Sequence, residues 1–128
     1  MVRSTMNAIS HPMRLGGAIC DLVTPFRDGR LDVAGLVALV DWQISQDISA
    51  ILVCGQAGEA TALTREERTL VVQTAVTASA RRVPILVGTG TTATVTTIAL
   101  TAEARALGAD AAVIVTPYYS RPSQAGIF

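Results

Sequence analysis

Four short apolar runs, the first three each followed by a stretch of helical periodicity, constrain this chain more than anything else in it. They fall at residues 17–23, 50–54, 84–88 and 111–115 and are rich in Ile, Leu, Val and Ala. Runs of that length without regular polar alternation read as strands covered on both faces. Strands that alternate with helices give a parallel sheet. The order is β-α-β-α-β-α-β, with a repeat of about thirty residues, the length of one strand and its crossover. The expected class is α/β.

The punctuation between the runs is consistent with that order. Thr24-Pro25 ends the first strand, and Asp28-Gly29 marks a turn. Asp32 is placed to cap a first helix whose apolar stripe is Val33, Leu36, Val37, Val40 and Ile44, with Trp42 read as core or, alternatively, as a contact surface. Thr64 and Glu67 have the spacing of a capping box at the head of a second helix over 64–80, which turns Leu70, Val71, Thr74 and Val76 inward. Pro84 stands at the first residue of the third strand, where it costs no ladder bond. A third helix runs through Ile98, Leu100, Ala104 and Leu107 to Gly108, a C-terminal cap. Ser123 caps a fourth helix that is cut off at Phe128. The domain expected is residues 16–128, truncated at the start of that helix, behind a loose leader over 1–15 with Met13 as an alternative start.

Composition excludes several functions. With 128 residues, half of them hydrophobic and 16% charged, the chain is long enough to bury one globular core. Zero net charge and the lack of a basic-aromatic stretch speak against nucleic acid as a partner. The apolar runs are too short to cross a membrane, and the leader has no apolar core of a secretory signal, so a cytoplasmic location is expected. Cys20 and Cys54 lie in apolar runs and read as buried, reduced thiols. His11, the one histidine, reads as solvated, and no metal cluster can be assembled from these residues. No cofactor is expected.

Two architectures fit the pattern: a small open sheet, or the first half of an eightfold barrel. In both, ligands gather at the carboxyl ends of the strands. At the second strand, Gly55-Gln56-Ala57-Gly58-Glu59 leads toward a helix start, so backbone N–H groups and a helix dipole could seat an anion there. The alternative is that the two glycines serve only a sharp turn. For the open sheet, Gly88-Thr89-Gly90-Thr91-Thr92-Ala93 matches the dinucleotide fingerprint G-x-G-x-x-A. That fingerprint needs an acid ending the next strand, and Asp110 stands at its other end, so a dinucleotide-binding domain is the lesser alternative.

Taken together, Leu22-Val23-Thr24-Pro25-Phe26, the Gly55 to Glu59 loop with Leu63-Thr64 and Glu66-Glu67, Val87-Gly88-Thr89-Gly90, and Val115-Thr116-Pro117-Tyr118-Tyr119 with Arg121-Pro122 form an ordered set. This set resembles the N-terminal half of the dihydrodipicolinate synthase and N-acetylneuraminate lyase family. The resemblance implies about the first four units of a TIM (β/α)₈ barrel and the chemistry of a class I aldolase. In that chemistry a lysine on a later strand forms a Schiff base with pyruvate or another 2-oxo acid. It further implies that Gly55, Gln56, Ala57 and Gly58 bind the substrate carboxylate. Tyr119 would serve as a proton relay reaching across a subunit interface into a neighbouring site, with Tyr118 near that interface, and the assembly would be a homo-oligomer. Glu59 is read as fixing the loop through backbone bonds, and Arg121 as a solvent or interface charge.

The chain departs from the family pattern twice. Gln56 and Ala57 stand where the synthase usually has two threonines, so the hydroxyl of the usual proton path is missing. All ten Lys-or-Arg positions are arginine, so no lysine is present to attack a keto group. The expectation is a 4-hydroxy-tetrahydrodipicolinate synthase-like lyase at the family level, represented by a chain inactive by itself. The alternative is a non-catalytic half-barrel that binds a small carboxylate or serves assembly.

Overall fold

The computed structural model describes residues 15–127; the leader up to residue 14, with His11 and Met13, lies outside the described residues. Strand β1 (Ile19–Asp21) is followed by a hairpin of β2 (Phe26–Arg27) and β3 (Arg30–Leu31). Asp28 and Gly29 at its tip both have positive φ, 51° and 73°, the combination that a two-residue hairpin turn requires. The predicted turn is therefore present, and it carries a short antiparallel ribbon. Helix α1 (Val33–Ser45), strand β4 (Ala50–Val53), helix α2 (Arg65–Ser79), strand β5 (Ile85–Gly88), helix α3 (Thr94–Ala106), strand β6 (Ala111–Val113) and helix α4 (Gln124–Ile127) complete the order.

The main sheet is parallel, in the order β1-β4-β5-β6. Every strand therefore lies beside its predecessor in the chain. A doubly wound sheet reverses direction at some point and opens its ligand crevice there. This sheet has no reversal, so it is a barrel wall and not a nucleotide fold. Asp110, at the wrong end for a ribose, has a structural task instead. Its Oδ2 accepts the Ile85 N–H at 2.8 Å, while its own N–H donates to the Ile85 carbonyl at 2.9 Å, pinning the start of β6 to β5.

Alternation along the strands sorts their side chains. Ile51, Val53, Ile85 and Val87 belong to one buried cluster with Leu36 and Val40 of α1 and Val71, Val72 and Ala75 of α2. The residues between them point the other way. By register, Asp21, Leu52, Leu86 and Ala111 form one row across that opposite face. Three are apolar, and the fourth is a carboxylate at the end of its strand.

The caps form where the spacing places them. Asp32 accepts the Gly35 N–H at 2.9 Å and pairs with Arg27. Thr64 and Glu67 close a full capping box. Gly108 adopts φ 95° just past α3, and the Gly126 N–H donates to the Ser123 Oγ at the start of α4.

The expected helix faces need correction. Trp42 is 56% exposed, Leu70 and Val33 are also exposed, and Val72, Ala75 and Ser79 are buried in α2 instead. On α3 only Ala104 is buried, while Ile98 is 64% exposed. The cause is the neighbour each helix has: α2 lies on β4, β5 and α1, whereas α3 rests on β6 and meets α2 through Glu103, which accepts from Arg65 and Thr69. A further apolar row, Val113, Ile114 and Val115, is exposed at the β6 edge, and Ile19 is exposed on β1.

Two outcomes follow from this packing. Sheet edges with exposed apolar residues pair with other chains, so the 128-residue chain by itself is expected to self-associate. Light scattering that returned a monodisperse monomer at high concentration would contradict this. The second outcome concerns Asp32, whose pKa is held below the ordinary carboxylate range by the Gly35 N–H and then by Arg27. A carboxyl depressed in the folded state stabilises above its unfolded pKa, and that contribution disappears as pH falls through the folded value. Thermal melts from neutral to acid pH should show a smaller acid loss in Asp32→Asn than in the parent chain; equal losses would exclude the role.

Candidate functional site

The carboxyl ends of the four parallel strands surround a cavity of about 540 Å³. Its wall includes Asp21 from β1, Leu52 and Cys54 from the β4 exit, Gly55, Gln56 and Glu59 from the following loop, Gly88 and Gly90 after β5, and Val115 and Tyr118 after β6.

The loop after β4 is shaped by backbone geometry. Cys54 has φ 51° and Glu59 φ 52°, both in the left-handed region, so the chain turns sharply at each end of the glycine segment. The Glu59 N–H donates to the Gln56 carbonyl at 3.1 Å, and the Ala62 N–H to the Glu59 carbonyl at 2.9 Å. Gly58 is buried beneath the loop, where a Cβ would come within 3.0 Å of the Leu22 carbonyl, and the Thr24 hydroxyl donates to the Gly58 carbonyl at 2.8 Å. Thr24, noted in sequence only as a strand end, thus ties the first rim loop to the second.

Among the predicted carboxylate binders, Gly55 and Gln56 lie on the cavity wall, and Ala57 is exposed beside them. The Ala57 N–H donates to the Asp21 Oδ2 at 2.9 Å, across 36 residues of chain. Asp21 was not anticipated as a site residue. The available signal was an acid near the carboxyl end of an otherwise apolar strand. Its other oxygen, Oδ1, is buried and has no hydrogen-bond partner among the described residues. An unpaired buried acceptor costs about 1–3 kcal/mol. Gly55 is glycine for the same reason: a Cβ there would lie 2.2 Å from the Asp21 Oδ1.

Two expectations about the loop change. Glu59 does not supply the carboxylate that fixes it; Asp21 does, while Glu59 stands on the cavity wall. The head of α2 is not the anion seat either. The capping box satisfies the Thr64 and Glu67 N–H groups, and Glu66 and Glu67 already complement the dipole.

The second glycine loop also has a packing explanation. A Cβ on Gly88 would meet the Cys54 carbonyl oxygen at 2.2 Å, and one on Gly90 would meet the Val115 N at 2.5 Å. These glycines allow neighbouring rim loops to touch, and Arg68 donates to the Gly88 carbonyl from behind. Cys54 is a buried free thiol held above its ordinary pKa by desolvation, against a smaller opposing pull from Arg68, so the wall carries a neutral sulfur there. Cys20 is also free, half-buried rather than buried.

The two tyrosines separate. Tyr118 lines the cavity, while Tyr119 is 98% exposed, has φ 70° and is not among the residues of the cavity wall. Arg121 is exposed beside it. Among the described residues, no group of three or more His, Cys, Asp or Glu could hold a metal ion, and no helix is long and apolar enough to cross a membrane.

The profile of the dihydrodipicolinate synthetase family matches residues 14–128. The chain belongs to that family. A 4-hydroxy-tetrahydrodipicolinate synthase from Methylococcus capsulatus is 48% identical over 113 residues, which are 88% of this chain and 39% of that protein. The crystal structure of the synthase DapA-2 from Bacillus anthracis superposes with a TM-score of 0.88 at 38% identity, over 91% of this chain and 40% of that one. A chloride-inhibited synthase from Acinetobacter baumannii, crystallised with pyruvate, superposes with a TM-score of 0.84 at 44% identity, over 87% of this chain and 38% of that one. This chain therefore spans about two fifths of the length of the relatives it matches and folds as part of the barrel that the family shares.

The glycines give a test of this rim. Gly88→Ala sets a Cβ against backbone and is expected to destabilise by about 3 kcal/mol or more. Gly55→Ala meets only the end of a side chain, so its smaller cost should largely vanish in an Asp21→Ala background. Urea unfolding of the single and double variants measures both. Additive effects at positions 21 and 55 would refute the contact.

Proposed function

We propose that this chain supplies the carboxylate-recognising rim of a 4-hydroxy-tetrahydrodipicolinate synthase-like lyase. The lyase acts on pyruvate or another 2-oxo acid through a Schiff base. The observation that carries this reading is the loop amide of Ala57, which already donates to a carboxylate oxygen at the cavity wall. An N–H that holds one carboxylate at 2.9 Å has the geometry to hold another. The family membership and the pyruvate bound to the Acinetobacter baumannii synthase support the same substrate class.

The roles divide by chemistry. Gly55 and Gly58 let the loop backbone turn toward the ligand, Ala57 offers its N–H, and Gln56 adds an amide donor. Gln56 cannot pass a proton as a hydroxyl does; by the family resemblance the relay is Tyr119, reaching a neighbouring copy in a cytoplasmic homo-oligomer, with Tyr118 near that interface. The exposed position of Tyr119 suits a residue that serves another subunit. Carbon–carbon bond formation needs an amine that adds to the keto carbon and expels water, and no lysine is present in this sequence. The 128-residue chain alone is therefore inactive in this chemistry.

A second reading, a small-carboxylate binding or assembly half-barrel without catalysis, is favoured by one observation. The apolar residues Val113, Ile114 and Val115 are exposed beside the cavity, and they suit docking of further barrel. Coding sequence beyond Phe128 with a lysine-bearing strand–helix unit supports the enzyme; a stop without one supports the module.

Borohydride reduction in the presence of pyruvate tests inactivity directly. Intact-mass analysis should find no pyruvyl adduct on any internal side chain. An internal adduct would show that the chain carries its own nucleophile.

A further inference from the structure

We infer that Asp21 is the specificity-determining residue of this rim: an internal carboxylate seated where the carboxylate of a 2-oxo acid would sit, which that ligand must displace. The inference rests on the function proposed above and adds a selection rule to it.

Three independent features of the structure meet at this side chain. By register Asp21 is the one charged member of the row Asp21, Leu52, Leu86 and Ala111. Its Oδ2 occupies the Ala57 N–H, the donor on which carboxylate recognition depends. Its Oδ1 is buried with no partner among the described residues, and Gly55 leaves the space that this oxygen fills. A carboxylate placed for folding alone would have both oxygens paired or solvated; this one spends one oxygen on the Ala57 N–H and buries the other against Gly55 at the edge of the cavity.

Charge on the wall acts in the same direction. Asp21 and Glu59 line the cavity, and among the described residues no arginine does. An entering carboxylate would compete for an occupied donor and would approach two like charges without a compensating cation. A neutral 2-oxo amide has the same shape, lacks the charge and does not meet that repulsion. Asp21 therefore shifts the preference of the rim from 2-oxo acids toward neutral 2-oxo compounds.

The test compares pyruvate with pyruvamide. Both are titrated into the ¹⁵N-labelled full chain, its Asp21→Ala variant and its Asp21→Asn variant, with the Ala57 amide resonance as the readout and circular dichroism as the check on folding. Asp21→Ala is expected to bind pyruvate about tenfold or more tightly than the parent, with no comparable gain for pyruvamide. Asp21→Asn, which keeps the shape without the charge, should gain in the same direction by less, and it decides the matter if the alanine variant fails to fold. Equal pyruvate affinity in all three chains, or equal gains for both ligands, overturns the inference while leaving the carboxylate seat intact. No shift of the Ala57 amide with pyruvate in any of the three overturns both the inference and the function on which it rests.

Discussion

The burial of two central strands under α1 and α2 is the constraint on which everything else in this structure depends. Ile51 pairs in register with Ile85, and Val53 with Val87, and all four are essentially excluded from solvent beneath Leu36, Val40, Val71, Val72 and Ala75. Each such side chain contributes on the order of 1.5–3 kcal/mol on burial. The pair is therefore held at the spacing of a parallel ladder, about 4.8 Å. Once β4 and β5 are that close, the loops leaving their carboxyl ends must share space. Gly88 then has no room for a Cβ beside the Cys54 carbonyl, and Gly90 none beside the Val115 backbone. The glycines at the rim are a consequence of the packing below it.

From that frame the site acquires an unusual electrostatic character. An anion-recognising loop ordinarily leaves its N–H groups for the ligand. Here one of them is satisfied from within the chain, by a carboxylate on the neighbouring strand, while the sheet row to which that carboxylate belongs is otherwise apolar. The loop is thereby ordered before any ligand arrives. Preorganisation of this kind lowers the entropy cost of binding but lets the internal group compete with what it imitates.

The division of labour along the chain is equally physical. The elements proposed to recognise a carboxylate lie at the carboxyl ends of β1 and β4, and the cavity-lining Tyr118 follows β6. The amine that would form a covalent intermediate is not encoded in these residues. Tyr118 and Tyr119 are adjacent in sequence, yet one faces the cavity and the other is almost wholly solvent-exposed. A positive φ at Tyr119 turns the backbone between them.

The sequence alone determined the elements and their order, because those depend on local chemistry: apolar runs, a capping box at Thr64 and Glu67, a cap at Asp32, a turn at Asp28-Gly29, a glycine after α3. It also located the rim, since the loops that follow parallel strands converge wherever the strands lie side by side. Periodicity turned Leu70 inward and misjudged it, because an apolar stripe does not say which neighbour will cover it. Only the tertiary structure could choose between open sheet and barrel wall, since strand order is a non-local property. Only it could bring Asp21 to Ala57, two residues separated by 36 positions and linked by no periodicity. A hydrogen bond between strand ends is set by register across the sheet, and register is decided when the whole layer packs.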